Sequence, residues 1–275
     1  MCEALQFEFM RNALLAGILV SISCGIIGSL VVVNRIVFIS GGLAHAAYGG
    51  IGLAFFTGTP PILGAALFSV AFSMIMAAVS FKNRHRADTI IGVIWAVGMA
   101  LGIILIDITP GYNVDLMSYL FGSILAVPKS DIWYMIPLDI IIVSSVVILY
   151  KEFLAMSYDE EFTFIAGIPV RLLYFFLLGM TALCVVMVIR VVGLILVIAL
   201  LTIPPYIAEK YTRSLGRMMA LACLLGILFT VLGLWLSYSY NLTSGATIVM
   251  VAAVAFFISQ SFEITKKRNK IKVRK

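Results

Sequence analysis

The sequence contains few charged residues. Asp, Glu, Lys and Arg together make up 12% of its 275 residues, whereas about a quarter of a typical soluble domain is charged. Hydrophobic residues make up 63%, and no polar block between the long apolar segments is large enough to fold alone. These proportions exclude an ordinary soluble protein. They predict one all-α domain, 1–275, that crosses a membrane several times.

Familiar catalytic and nucleotide-binding motifs are also missing. The sequence has no GxxxxGK[ST], so we predict no P-loop ATPase in this chain, and it has no GxSxG, HExxH or CxxC. The four cysteines are scattered, without the spacing of a metal-ligand set or a redox pair. We therefore expect neither an enzyme nor a cofactor bound by the chain itself.

The excess of positive charge is concentrated at the C-terminus. The net charge is +6, and seven of the nineteen Lys and Arg residues lie in 263–275. A basic tail that follows a membrane segment is an orientation and lipid-surface signal, so we expect contact with the lipid bilayer and not with nucleic acid. We interpret 263–275 as a cytoplasmic tail attached to a membrane bundle at 12–262.

Nine apolar segments approach the roughly 20 residues that a membrane-spanning helix needs. The second segment is marginal, and almost no loop separates the pair that meets at Arg190. The sequence therefore predicts eight or nine transmembrane helices. The candidate spans are 12–33, 42–57, 62–80, 89–108, 132–150, 172–189, 191–208, 218–238 and 243–262.

The distribution of Lys and Arg predicts the orientation. With nine spans and a cytoplasmic tail, only Arg11, Lys129 and Arg190 lie on the outer side, which agrees with the positive-inside rule. The N-terminus is then outside. Residues 114–127 are apolar but too short to span, and counting them would move the basic loop 82–86 outward. We interpret 114–127 as a short or re-entrant segment on the outer side.

Residues 40–50, SGGLAHAAYGG, form a run of small side chains within the second span. Residues four positions apart lie on the same face of a helix, so the small residues of this run form stripes along it. Such stripes allow the backbone of a second helix to approach closely. We expect this segment to pack tightly against its neighbours. The predicted packing residues are Gly41, Gly42, Ala46, Gly49 and Gly50.

His45, in the middle of this run, is the only histidine that we place at membrane depth. Ionisable groups inside a membrane usually face a bundle interior or a water-filled path, and imidazole is a common metal ligand. The residues leave two interpretations open: a ligand or pathway residue, or a histidine bonded to a nearby carbonyl. Asp107 and Asp139 likewise allow a pathway role or a local hydrogen bond.

The longest predicted cytoplasmic loop is 151–171. Ser157, with acids just after it, is typical of a helix N-cap, and Gly167 followed by Pro169 indicates a helix end. We predict a short amphipathic helix, which is either a docking element for a partner or a solvated connector. Its apolar side chains available to a partner are Phe162, Phe164 and Ile165.

Six stretches, taken together and in this order, resemble a known family. The chain resembles the permease subunit of bacterial and archaeal ABC importers for zinc, manganese or ferrous iron, from about residue 12 to 260. The third and fifth stretches are the most specific. They are GGLAHAAYGGIGLAFFTG (41–58), ADTIIGVIWAVGMALG (87–102), VDLMSYLFGSILAV (114–127), DEEFTFIAGIPVRLL (159–173), RVVGLILVIALLTIPPYIAEKY (190–211) and NLTSGATIVM (241–250).

The resemblance implies a fold, partners and a substrate. The fold would be similar to the cobalamin and iron-siderophore ABC permeases, with the path at the interface of a homodimer or of a pair with a close homologue. An extracytoplasmic metal-binding protein would deliver the ion. The loop 151–171 would couple to a separate ATP-binding subunit, with Asp159, Glu160 and Gly167 matching the family pattern.

The resemblance also implies roles for individual residues. His45 matches the histidine of the family's small-residue helix, where many members carry an aspartate one turn earlier; here that position is Gly41. This departure weakens any choice among zinc, manganese and iron. The segment 114–127 would belong to an outer gate, whose predicted residues are Asp115, Tyr119 and Gly122.

Other functions remain open at the level of sequence. An ABC permease of the same fold for a metal chelate such as a siderophore is the nearest, although those chains are usually longer. A secondary transporter driven by an ion gradient would need no ATPase partner. A membrane scaffold without transport activity is disfavoured by His45 and by the interrupted outer segment.

Overall fold

The computed structural model describes residues 6–82, 87–109, 122, 124–194 and 197–273. Within these ranges the chain is helical and contains no strand. The helices are α1 Glu8–Val33, α2 Val37–Thr57, α3 Pro61–Lys82, α4 Ala87–Asp107, a 3-10 turn Ile124–Ala126, α5 Lys129–Ile148, α6 Tyr150–Tyr158, α7 Glu160–Ile165, α8 Val170–Val192, α9 Val197–Tyr211, α10 Leu215–Tyr240 and α11 Ser244–Val273.

The long helices confirm the predicted all-α membrane bundle. In the described part of the chain, eight helices are long and apolar enough to cross a bilayer, and each overlaps a predicted span. A helix suits this environment because its backbone hydrogen bonds are satisfied within the segment. The eight helices are α1, α2, α3, α4, α5, α8, α10 and α11.

The predicted span 191–208 takes a different form. α8 continues to Val192, and Gly193 ends it with φ 79° and ψ 169°, a conformation that is essentially restricted to glycine. The next helix, α9, begins at Val197 and has 15 residues, or about 22 Å, which is shorter than the bilayer core. The break therefore falls at Gly193, three residues beyond the predicted junction at Arg190.

α2 is the central helix of the bundle. Within its most apolar stretch 78% of the residues are buried, compared with 22% for α4. α3 and α4 cover two sides of α2, and α8 and α9 also contact it. α1 packs mainly against α10 and α9, with α5 and α8 beside it. This arrangement places the small-residue segment 40–50 inside the protein.

The described borders of four connections lie together at one end of the bundle, here called the inner end. A cleft of about 220 Å³ is lined by Arg35, Ser80, Asp88 and Glu160, which belong to three predicted cytoplasmic loops or their borders. A second cleft of about 290 Å³ brings the end of α6 beside the α9–α10 connection. The described residues that border four of the predicted cytoplasmic connections therefore share one end of the molecule.

Candidate metal pathway and coupling segment

α2 and α4 approach each other so closely that their backbones are in contact. A Cβ atom added at Gly102 would lie 2.5 Å from the carbonyl oxygen of Tyr48 and 3.0 Å from Cα of Gly49. One turn earlier on α4, a Cβ at Gly98 would lie 2.9 Å from Cα of Ala46. The absence of side chains at these glycines lets the two helices pack at this distance.

The other small residues of α2 face different neighbours. A Cβ at Gly50 would lie 2.5 Å from a backbone oxygen of α3, and one at Gly42 would lie 2.7 Å from Ile91 of α4. At Gly41 the nearest atom is the Cδ1 of Ile198 in α9, at 2.6 Å. The small residues thus hold α2 between three helices, which fixes the position of His45.

His45 lies near the middle of α2, on the side that faces α4. Its Nδ1 is 3.1 Å from Sδ of Met99, and its ring stacks on the indole of Trp95, with centroids 4.0 Å apart and planes at 15°. Trp95 and Met99 are one helical turn apart, so both side chains point to the same face of α4. His45 is half-buried, with a thioether beside its ring nitrogen and an aromatic ring on its face.

The side chains around His45 determine which metal ions this site could bind and how firmly. Imidazole nitrogen and thioether sulfur are both donors for borderline and soft metal ions. Within the described ranges, no group of three or more His, Cys, Asp or Glu side chains could hold a metal ion. A structural metal centre usually needs about four ligands, so the geometry at His45 suits transient contact with a passing ion better than permanent binding.

The two intramembrane aspartates differ in their surroundings. Asp139 in α5 is buried and accepts a hydrogen bond from the Ser23 hydroxyl of α1. This contact ties two helices together, which is the local role considered for Asp139. Asp107 is the last residue of α4 and is exposed.

The predicted coupling segment forms two short helices at the inner end. Asp159 caps α7, since its Oδ1 accepts a hydrogen bond of 2.9 Å from the Phe162 amide. Thr163 is buried and donates through its hydroxyl to the Asp159 carbonyl at 2.6 Å. The residue that we predicted as the cap, Ser157, instead lies in the last turn of α6 and accepts a bond from Asn34. The observed N-cap of α7, Asp159, therefore lies two residues after the predicted one.

The end of α7 depends on a glycine. Gly167 has a φ of +84°, a conformation that costs most other residues about 1–2 kcal/mol, and its amide donates to the Phe164 carbonyl at 3.0 Å.

The coupling segment also presents side chains at the inner end. Glu160, in the first turn of α7, lines the 220 Å³ cleft. Four apolar side chains, here called the coupling patch, are 66–92% exposed: Tyr158, Phe162, Phe164 and Ile165.

Of the predicted outer-gate residues, the structure describes Gly122. Gly122 is buried with a φ of +65° and lies directly against the backbone of Val192 and Gly193. At Gly122, the 114–127 segment therefore contacts the C-terminus of α8. Asp115 and Tyr119 lie outside the described residues.

Reasoning from the sequence missed Trp95 and Met99. Both lie within the stretch ADTIIGVIWAVGMALG, and their spacing places them on one helix face. That face is shared with Gly98 and Gly102, which have the small-residue spacing used to interpret α2. The small-residue spacing of α4 therefore matches that of α2 and would predict that the two helices pair, with Trp95 and Met99 near His45.

The fold and the site together define the class of the protein. A half-buried histidine deep in a helical bundle is characteristic of polytopic membrane proteins that carry a site or path inside the bundle. The chain belongs to the ABC 3 transport family, whose model matches residues 6–263. This confirms the family resemblance of the six sequence stretches.

Two relatives cover nearly the whole chain. An uncharacterized membrane protein of Synechocystis is 54% identical over 95% of this chain and 93% of its own length. The manganese transport system membrane protein MntC of Listeria monocytogenes is 36% identical, and the match covers 97% of each chain. The similarity therefore extends over the complete membrane bundle.

A solved structure has the same architecture. PsaBC from Streptococcus pneumoniae, determined in complex with a Fab, contains a chain that matches with a TM-score of 0.86 at 33% identity. The match covers 94% of this chain and 93% of the other. The helical arrangement described above is thus similar to one that has been determined experimentally.

Proposed function

We propose that this chain is the membrane permease subunit of an ATP-driven importer for divalent transition-metal ions, namely zinc, manganese or ferrous iron. The observation that carries the proposal is the family match over residues 6–263, combined with a half-buried imidazole in the middle of the central helix. Relatives named for manganese transport support a metal substrate. The metal ion is cargo and not a cofactor of the chain.

In this proposal His45 contacts the ion on its way through the membrane. The close packing of α2 against α3 and α4 holds the imidazole at a fixed depth, so an ion meets the same ligand in every transport cycle. A single side chain binds weakly, and weak binding allows release as well as capture. Any path needs a second wall, which a second copy of this chain or a close homologue would supply.

The coupling patch is the proposed contact with the ATP-binding subunit. Phe162, Phe164 and Ile165 expose apolar surface at the inner end. An exposed apolar patch of this kind is typical of a surface that another protein covers. Asp159 and Gly167 hold the two ends of α7, and Glu160 adds a carboxylate at its start. ATP hydrolysis takes place in that partner chain, so this subunit is not itself an enzyme.

The remaining partners follow from the orientation. We place the inner end and the C-terminal tail in the cytoplasm of a cell whose plasma or inner membrane contains the bundle. An extracytoplasmic metal-binding protein then docks on the opposite face. There the segment 114–127, which includes Gly122, forms part of the outer gate.

The coupling role can be tested with a matched pair of glycine variants. Gly167 and Gly58 both have positive φ, with open space around the missing side chain, and each donates its amide to the carbonyl three residues earlier. Proline at either position forces φ to about −65° and removes this bond. Gly58 connects α2 to α3, away from the coupling segment.

We expect Gly167→Pro to reduce ATP-driven metal uptake and co-elution with the ATPase far more than Gly58→Pro does. Expression and thermal stability in detergent measure the shared structural cost. Equal loss of uptake in both variants, with the ATPase still bound in both, contradicts the coupling assignment. Vanadate, which blocks ATP hydrolysis by such partners, should stop uptake; continued uptake would favour a secondary transporter.

A further inference from the structure

We propose that Met99 is a second metal ligand beside His45, and that this pair favours passage of zinc over manganese. The proposal rests on the proposed function, since it assigns the specificity of the same path. It concerns a residue of α4 that faces the ring nitrogen of His45.

The distance between the two donor atoms matches a shared ion. Nδ1 of His45 and Sδ of Met99 are 3.1 Å apart. A zinc ion about 2.0–2.1 Å from the nitrogen and 2.3 Å from the sulfur, the distance for a cysteine thiolate, would hold these atoms roughly 3.1–3.6 Å apart for angles at the metal of 90–110°. A thioether needs a slightly longer distance. An ion can therefore enter between them with a displacement of a few tenths of an ångström.

The surrounding structure keeps both donors in place. Trp95 stacks on the imidazole and covers one face of the ring. Close contact of α4 with α2 at Gly98 and Gly102 fixes the helix that carries Met99. Ligands on packed helices are held more precisely than ligands on loops. The sulfur, with its lone pairs, is the Met99 atom that lies beside the ring nitrogen.

The chemistry of the pair discriminates between metals. Imidazole and thioether suit zinc and softer ions, whereas manganese prefers carboxylate, carbonyl and water oxygens. One helical turn before His45 the chain has Gly41, which offers no side-chain oxygen, and Ile198 of α9 lies against that position. In the described part of the chain, His45 belongs to no cluster of three or more His, Cys, Asp or Glu side chains.

A packing role alone would not select between metals. Methionine often fills gaps in apolar cores, and leucine usually replaces it there at a cost below about 1.5 kcal/mol. Met99→Leu therefore retains most of the packing while it removes the sulfur. Met180 of α8 is also buried and is not one of the residues that we assign to the path, so Met180→Leu serves as the matched control.

The experiment uses the complete transporter, with its ATPase and binding protein, in cells that lack other uptake systems for these metals. Uptake of radioactive zinc and manganese is measured at low concentrations of each. We expect Met99→Leu to lower the ratio of zinc to manganese uptake about tenfold, the scale of losing a metal-site interaction. Met180→Leu should leave this ratio unchanged.

Two further variants keep the test decisive if Met99→Leu does not assemble. Met99→Cys supplies a stronger sulfur ligand, so it should retain zinc selectivity and make transport sensitive to cadmium. Gly41→Asp adds a carboxylate where only the flexible end of Ile198 must move, and it should shift the ratio toward manganese.

The outcomes separate this proposal from the one on which it rests. Equal loss of zinc and manganese uptake in Met99→Leu, or an unchanged ratio, overturns the ligand role of Met99. Loss of zinc selectivity in Met99→Cys does the same. If the intact transporter moves none of zinc, manganese and ferrous iron, the proposed function itself fails; if it moves iron alone, or if His45→Ala changes nothing, the proposed pair of ligands is overturned while the importer function stands.

Discussion

At the scale of single residues, the buried pair of Asp139 and Ser23 shows how a membrane bundle accommodates a carboxyl group. Both side chains are buried, and the Ser23 hydroxyl donates to the Asp139 carboxyl across α1 and α5. A polar group without a partner in this environment costs several kcal/mol. The pair therefore acts as a tie between two helices.

We predict that Ser23→Ala lowers the stability of the protein by about 1–3 kcal/mol, because it leaves the Asp139 carboxyl without this donor. Ser29→Ala is the control: Ser29 is equally buried in α1, but its hydroxyl bonds only to the Gly25 carbonyl of the same helix. Thermal unfolding in detergent measures both. Replacing both partners, with Ser23→Ala and Asp139→Leu, should restore most of the loss. A double variant less stable than Ser23→Ala would contradict this explanation.

His45 shows what the sequence could and could not predict about the site. The rarity of ionisable groups in apolar helices was enough to identify the residue. Its neighbours Trp95 and Met99 were not predicted, because the sequence does not state which helix faces α2. The space beside Gly41 is filled by Ile198, 157 positions further along the chain, a contact that no local pattern reveals.

At the scale of elements, the interface of α2 and α4 is built from small residues on both helices. The apolar character of α2 is similar on all sides, so its pattern alone does not distinguish its neighbours. Backbone contact at Gly102 and Gly98 gives this pair its close approach. Lipid provides no hydrophobic force that drives helices together, so such packing has to stabilise the pair.

We predict that Gly102→Ala destabilises the protein by about 1–3 kcal/mol, since the added methyl group would meet backbone atoms of α2 that cannot move independently. Gly92→Ala is the control on the same helix. Nothing lies within 4 Å of the position of its Cβ, so alanine there should be neutral or slightly stabilising through its helix propensity. Melting temperatures compare the two variants. Equal melting temperatures would show that the close approach contributes nothing.

The elements themselves were largely predictable. Eight predicted spans correspond to long helices, because length and apolar character determine what crosses a bilayer. A division near residue 190 was predicted, but its exact position at Gly193 was not predictable from hydropathy, since α8 and α9 are both apolar. The break falls at Gly193, which has a positive φ and lies against the backbone of Gly122 in a distant segment.

At the scale of the whole molecule, the ends of the helices define two faces. Connections near Arg35, Asp88, Glu160 and Arg213 line two clefts at the inner end. These described residues border or belong to four of the loops that we predict to be cytoplasmic. Since Lys and Arg are retained on the cytoplasmic side, we expect the inner end to face the cytoplasm.

Single cysteines in a background without the native ones test this orientation. Thr59, between α2 and α3, and Tyr158, in the coupling patch, are both exposed and lie near opposite ends of the bundle. A membrane-impermeant maleimide should label Thr59→Cys in intact cells, and Tyr158→Cys only after permeabilisation. The reverse pattern would show that the bundle is inverted.

The central claim is that a metal ion passes His45 during ATP-driven import. The most direct measurement is ATP-dependent metal uptake by the complete transporter in proteoliposomes, over a range of metal concentrations. We predict that His45→Ala lowers uptake at least about tenfold while the ATPase still co-purifies, and that replacing the other histidine, with His85→Ala, has no effect. Uptake by His45→Ala equal to that of the unaltered transporter at every metal concentration would contradict the claim.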